Sequence, residues 1–456
     1  MTIDDFKKAF DKCDDVQFKE IFLPALQEKC YVIYTEVILS NVFHLALEER
    51  KSLPSVEEAV KSFLAGNVLV FSNNKKEVYT VSDRGYPGLG VSDADDEKVL
   101  RGSNEAFCDS IKTNTALIRK RLRTTDLKVK EEVVGVRTTT NISILYMQGI
   151  AQDRLVQGLQ ERLEQYSLDG VLDSGVIEQL IKKQWKSPFP EVQTTRRPDK
   201  ATYSLLEGRI ILLCDNSPVA LIIPTDIGSL LKTADDYYNS YFMSTVGRII
   251  RYMATFLSYT LPGLYLVMTN YHTQILPTPL LLSFQEARSG VPFPAALEIV
   301  LMEVAFELLR EAGVRLPDVM GNTIGIVGGL IIGQAAVEAN LVSPIVVILV
   351  ALTALCSFAI PDEELSFAFR ILKFFVLLLS AFLGLYGFFA AQMVILIHLS
   401  KLNSYGIPYL MPFAAADKSH GENYLDGIWR APYRFLRKRP VFSKRSQRIR
   451  LRKEKK

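Results

Sequence analysis

Cysteine and histidine are scarce and scattered in this 456-residue chain. There are five cysteines (Cys13, Cys30, Cys108, Cys214 and Cys356) and four histidines. No two cysteines form a CxxC pair, so neither a disulfide framework nor a zinc site of recognisable spacing is expected. A phosphate loop ending in Lys-Ser/Thr is missing, as are GxSxG and HExxH. The chemistries those motifs carry therefore have no foothold, and neither enzyme activity nor a cofactor is expected. Charge of one sign does not dominate: 53 Lys+Arg face 50 Asp+Glu, a net +3. The start, MTIDDFKKAFDKCDD, lacks the apolar core of a cleaved signal peptide, and the first half is expected to stay in the cytoplasm. Long apolar runs are absent from the first 240 residues altogether.

They are abundant afterwards. A mean hydropathy of +0.14 with 23% charged residues suits a polar half joined to an apolar half better than one uniform globule. From Met320 to Ile360 the only formal charge is Glu338. That length holds two helices of about 20 residues, enough to cross roughly 30 Å of hydrocarbon. Within it Gly321, Gly325, Gly329 and Gly333 recur every four residues, one ridge of a helix. Each would cost about 1 kcal/mol against alanine in water, whereas in a bilayer small-xxx-small ridges let helices approach closely. The ridge reads either as plain packing or as a pore or gating surface. Val327, with Ile324 and Ile331, lies on the opposite face, bulky enough to meet lipid or form an apolar constriction. Gln334 and Glu338 are polar groups that self-association around a shared axis would enclose.

The polar half alternates strand-like and helical patterns, which reads as α/β or α+β. FLAGNVLVFSNNKKEVYTV (63–81) and LLEGRIILLCDNSPVALII (205–223) echo each other: apolar pair, Gly, strand, polar turn, strand. CYVIYTEVI (30–38) and ISILYMQGI (142–150) each read as a buried strand running into a helix. Two related cytoplasmic subdomains are the economical reading, 1–100 and 101–244, with a connecting helix at the start of the second; two ordinary hairpins are the alternative. Asp93, Asp95 and Asp96 read as solvated charge. SPFPEVQTTRRPDKATYSLLEGR (187–209) reads as an ordered linker wrapped across the second subdomain.

A helical membrane domain (245–416) follows, with about four spans and one amphipathic helix. Tyr252–Asn270 is the first span, expected to kink at Pro262-Gly263, with Arg248 and Arg251 on its cytoplasmic flank. Ala295–Glu311 is the amphipathic helix. Glu303, Glu307, Arg310 and Glu311 share one arc and are expected to form its wet face, opposite an apolar face that contains Glu298. A carboxylate in that position must be paired, protonated or beside water, and Arg288 is the partner at hand. Segments 320–338 and 341–360 are the next two spans. In the last long helix Arg370 and Lys373 are expected to snorkel, leaving Phe374–Leu399 for lipid. Between Arg430 and Lys456 thirteen Lys/Arg face one acid, Glu454. This basic tail (417–456) reads as cytoplasmic and drawn to anionic headgroups, with nucleic acid set aside. Both termini then lie on the cytoplasmic side.

Several long stretches resemble one family. They are DDVQFKEI (14–21), NTALIRKRLR (114–123), SPFPEVQTTRRPD (187–199), LLEGRIILL (205–213), VPFPAALEIVLMEVAFELLREAGVRLP (291–317), GIVGGLIIGQAAVEANLVSP (325–344) and GIPYLMPF (406–413). They are similar to the A subunits of GerA-type spore germinant receptors, a family that includes a paralogous stage V sporulation protein. The resemblance covers nearly the whole chain. It implies a subunit that homo-oligomerises into a channel for monovalent ions in the inner spore membrane. It also implies a transporter-like B subunit and a lipoprotein C subunit as partners. Two alternatives stay open: a non-conducting scaffold that clusters germination proteins, and a subunit of a solute transporter.

Overall fold

Runs with no polar alternation, such as VLVFS, polar only at its last residue, and IILLC, form strands buried on both faces. The computed structural model describes residues 3–23, 28–35, 51–53, 55–72, 77–81, 97–314, 329, 331–413 and 425–450. The first subdomain begins with α1 (Ile3–Ala9), β1 (Val16–Leu23) and β2 (Glu28–Thr35). It continues through β3 (Lys51–Leu53), α2 (Val56–Leu64), β4 (Val68–Ser72) and β5 (Val78–Val81). Its sheet runs β1-β2-β4-β5-β3, every pair antiparallel. After α3 (Ile111–Arg121), the second subdomain has β6 (Leu127–Val134), β7 (Thr140–Met147), α4 (Asp153–Glu164) and α5 (Ser174–Ile181). Then come β8 (Gln193–Thr195), α6 (Pro198–Glu207), β9 (Ile210–Cys214) and β10 (Ala220–Ile223).

The second sheet runs β6-β7-β9-β10-β8, again antiparallel throughout. Counted from its own first strand, this is the same order as the first sheet. The echo read from sequence extends to the backbone: Gly66 before β4 and Gly208 before β9 both sit at φ 95°, which a side chain would strain. At the second turn Asn216 supplies φ 62°; Asn73 and Asn74 lie outside the described residues, as do Asp93, Asp95 and Asp96.

Both faces of the second sheet are covered, which is why its central strands do not alternate. Ile211, Leu213, Ala220 and Ile222 pack on α3 and α6 through Leu117, Ile118 and Leu205. Ile142, Ile144, Ile210 and Leu212 pack on α4 and α5, and also on Tyr405, Ile407, Met411 and Phe442 from the C-terminal region. The tail segment 425–450 is therefore folded against the second subdomain. Ser443 bridges to Ala151, and Arg439 and Arg450 donate to the Leu206 carbonyl and the Tyr203 hydroxyl. The sequence reads as a basic tail drawn to anionic headgroups; its interspersed Val441, Phe442 and Leu436 are the apolar residues by which it docks on the chain.

The helical region follows two short turns, α7 (Ile227–Leu230) and α8 (Asp235–Tyr238). It comprises α9 (Tyr241–Asn270), α10 (Thr278–Arg288), α11 (Ala295–Val314), α12 (Pro344–Phe358) and α13 (Glu363–Lys401). Among the described residues one helix, α13, is long and apolar enough to cross a membrane. α12 is apolar but only 15 residues, about 22 Å at 1.5 Å per residue. α9 is long, yet Ser258, Thr260 and Tyr259 dilute its apolar stretch. It runs on as one helix through Pro262, and Gly263 lets α13 approach: a Cβ there would lie 2.9 Å from Ser380 and Val376. The break falls in α13, expected to be continuous, where Gly384 adopts φ 59°, ψ −135° against the ring of Tyr271. Most of the glycine-rich segment lies outside the described residues.

Candidate functional site

In an apolar helical region, each charged side chain must find a partner or lie beside water. α11 brings four such groups inward. Glu298 is fully buried; its carboxylate accepts from Arg288 at 3.3 Å and from the backbone N–H of Ser343 at 3.0 Å. Glu303, 1% exposed, pairs with the buried Lys373 of α13. Glu307 accepts from Arg370 at 2.8 Å and lies 3.5 Å from Lys373. Arg310 donates to Ser357 Oγ at 2.7 Å.

Three members of the arc on α11, Glu303, Glu307 and Arg310, thus belong to the packed face, while Glu311 is exposed. Leu297, Leu301, Val304 and Leu308 are the residues left outside. Arg370 and Lys373 likewise do not snorkel; they reach across to α11. The physical reason is shared: charges four residues apart on α11 meet a matching basic pair three apart on α13, and pairing inside avoids facing hydrocarbon. Single-helix periodicity finds the arc but cannot say which side the neighbours occupy.

A second cluster joins the helices to the subdomain below. Arg248, expected at the lipid interface, has no exposed surface. Its Nε donates to Asp236 at 2.9 Å and its Nη1 to Asp426 at 2.8 Å. Arg251 pairs with the other Asp236 oxygen, and Asp426 also accepts from Tyr237 at 2.8 Å and Lys232 at 3.1 Å. Burial works against charge on Asp426, but Lys232, Arg248 and the Tyr237 hydroxyl outweigh it and hold that carboxyl well below the usual range. The proline-rich linker 187–199 lies alongside: Phe189 stacks edge-on against Phe369 of α13, and Ser187 Oγ is 3.0 Å from His398 Nε2. Asp236, Asp426 and Tyr237 were not singled out in the sequence. Asp426 is 178 residues from Arg248, and no local pattern joins them.

Of the glycine ridge, Gly321 and Gly325 lie outside the described residues, and Val327 with them. Gly333 is buried, a Cβ there coming 3.3 Å from Val347 of α12. Gly329 is exposed, with nothing among the described residues within 4 Å of its would-be Cβ. Gln334 and Glu338 are also exposed, and bond to each other at 3.0 Å. No group of His, Cys, Asp and Glu among the described residues could hold a metal ion.

The pattern of the Bacillus/Clostridium GerA spore germination protein family matches residues 36–442. The chain belongs to the GerA family. It is 38% identical over 364 residues to spore germination protein A1 of Bacillus subtilis, covering 80% of this chain and 76% of that one. It is 37% identical over 386 residues to the uncharacterized membrane protein YfkQ of the same organism, covering 85% and 75% respectively. The N-terminal domain of the A subunit of the Bacillus megaterium spore germinant receptor GerK3 is 25% identical. It covers 48% of this chain and 92% of that domain, at a TM-score of 0.37. In this GerA chain, the stretches that carried the resemblance also carry the pairing. VPFPAALEIVLMEVAFELLREAGVRLP holds Glu298, Glu303, Glu307 and Arg310, and SPFPEVQTTRRPD holds Ser187, Phe189 and Arg197.

Proposed function

We propose that this chain is the A-type subunit of a spore germinant receptor. It crosses the inner spore membrane four times and oligomerises with copies of itself around a path for monovalent ions that nutrient sensing opens. A transporter-like B subunit and a lipoprotein C subunit complete the receptor, and both termini face the spore core. One observation carries the oligomer: beside the open surface of Gly329, Gln334 and Glu338 are exposed on the helical residues 331–338 and, among the described residues, bond only to each other. Polar groups on an apolar helix that its own chain leaves uncovered are satisfied when copies meet around an axis.

The subunit count of the detergent-solubilised chain, with single-channel recording on the same sample, tests this reading. A homo-oligomer with a cation current is the expected result. Gly329→Leu should abolish assembly or fix one conducting state while leaving the monomer folded, because nothing among the described residues opposes the added side chain. A monomer without current, or a Gly329→Leu variant that assembles and conducts normally, overturns it. Saturable solute uptake by a monomer would make the chain a transporter subunit instead.

A further inference from the structure

Between the second subdomain and the helical region lies a cleft of about 520 Å³. Arg197, Lys200 and Lys232 line it from the subdomain side, and Arg310 and Arg370 from the helical side. Six cations line the cleft with only two acids, Glu97 and Glu363. Most of these cations are matched: Lys200 with Glu97 at 2.8 Å, Arg197 with Asp199 at 2.7 Å, Lys232 with Asp426 at 3.1 Å, and Arg370 with Glu307 at 2.8 Å. Arg310 differs. Among the described residues no carboxylate lies within ion-pair distance of it. A hydroxyl, Ser357 Oγ, and the face of Phe358, 4.3 Å from its guanidinium carbon, hold it in place. The Nε atoms of Arg310 and Arg370 are both buried without a hydrogen-bond partner.

A guanidinium fixed by an aromatic face and a hydroxyl, with Glu303, Glu307 and Glu363 nearby but none of them in direct contact, and set near a second guanidinium, is arranged for an oxyanion from outside the chain. Leaving it unmatched in a partly desolvated cleft is costly. We infer that this cleft binds a phosphate-type oxyanion, with Arg310 and Arg370 as its cationic ligands from the helices and Lys200 facing it from the subdomain. The volume admits a phosphomonoester larger than phosphate, and such an ester can be a free metabolite or the headgroup of an anionic lipid. Bound there, the anion ties the subdomain to α11 and α13, so its occupancy sets how firmly the two move together. The inference concerns binding to the single chain and stands apart from whether the oligomer conducts.

The test uses the full chain in a non-ionic detergent. Calorimetric titration with inorganic phosphate and with glycerol 3-phosphate is set against native mass spectrometry of retained dioleoyl phosphatidate, with phosphatidylcholine as the reference lipid. Saturable binding of the soluble phosphates assigns a free ligand; selective retention of phosphatidate alone assigns the lipid source. Arg310→Gln should weaken whichever binds at least tenfold. Arg310→Lys, which keeps the charge and loses the fork, should give a smaller loss. Arg137→Gln, in an exposed pair with Asp169 on the second subdomain, should leave binding unchanged. Should Arg310→Gln not fold, as judged by its helical circular dichroism, the wild type decides. Displacement of the bound probe by sulfate but not acetate supports the site, and indifference to sulfate rejects it. Binding of none of the three probes, or Arg310→Gln that binds like wild type, overturns the inference.

Discussion

The two five-stranded sheets share strand order and a left-handed glycine at the same point, yet they carry different loads. The first packs on α1 and α2 through Phe6, Phe10, Phe63 and Phe71, and its described links to the second subdomain run through residues 11–15. Asp15 meets the buried Arg119 of α3 at 2.6 Å, and Cys13 bridges to Val129. The second sheet is clad on both faces, holds the C-terminal segment, and its subdomain meets the helices through Arg248 and Arg251 of α9 with Asp236 and Asp426. Apolar pattern builds the framework twice. Buried acid–base pairs on the connecting segments decide which copy is joined to the helical region.

The largest expected effect comes from cutting that joint. Arg248→Ala leaves Asp236 and Asp426 buried without one of their cations, a loss of about 3–5 kcal/mol. Amide exchange should then rise in the first turns of α9 and in 425–435. Asp15→Ala strands Arg119 by the same mechanism, but the exchange it raises should be confined to α3 and the edge around β1. If both variants loosen the same amides, the two subdomains are not coupled differently and the comparison fails.

A finer test uses the matched glycines. Both sit at φ 95°, where a side chain costs about 1–2 kcal/mol. At Gly208 an added Cβ would also lie 2.8 Å from Ser443 Cα, backbone of the docked tail that cannot swing away. Gly208→Ala should therefore destabilise more than Gly66→Ala in thermal melts, and it should release the tail to proteolysis. Equal losses would mean that the tail adds nothing at that turn.

Much of the framework was legible in the sequence because its signals are local. The repeated apolar–Gly–strand–turn unit marked both sheets, whereas 187–209, read as a linker, supplies the edge strand β8 and helix α6 of the second subdomain. Glu298 did find Arg288, since the two are ten residues apart across a proline turn. What stayed hidden depends on partners distant in the chain. The inward face of α11 is set by Arg370 and Lys373 on α13, 63 and 70 residues away from Glu307 and Glu303. Gly263 and Gly384 carry the close approach and the helix break, and neither belongs to the periodic ridge that drew notice. The tail's basic count concealed the few apolar residues that dock it.

The smallest effect is a pH dependence that belongs to the joined subdomain alone. The Asp426 carboxyl is held below its ordinary range in the folded chain by Lys232, Arg248 and the Tyr237 hydroxyl, against the opposing effect of burial. A group depressed by folding contributes stability above its unfolded value, roughly 3.9 for aspartate, and loses it as pH falls toward the folded value. The stability gap between wild type and Asp426→Asn should thus be flat from about pH 8 to 5 and narrow below about pH 4. Asp169→Asn, removing an exposed partner of Arg137, should show almost no gap at any pH, as surface pairs contribute about 0–1 kcal/mol. Chemical denaturation of the three proteins across that range measures both curves. A gap for Asp426→Asn that closes between pH 5 and 8 would assign the linkage to another group and remove Asp426 from the joint.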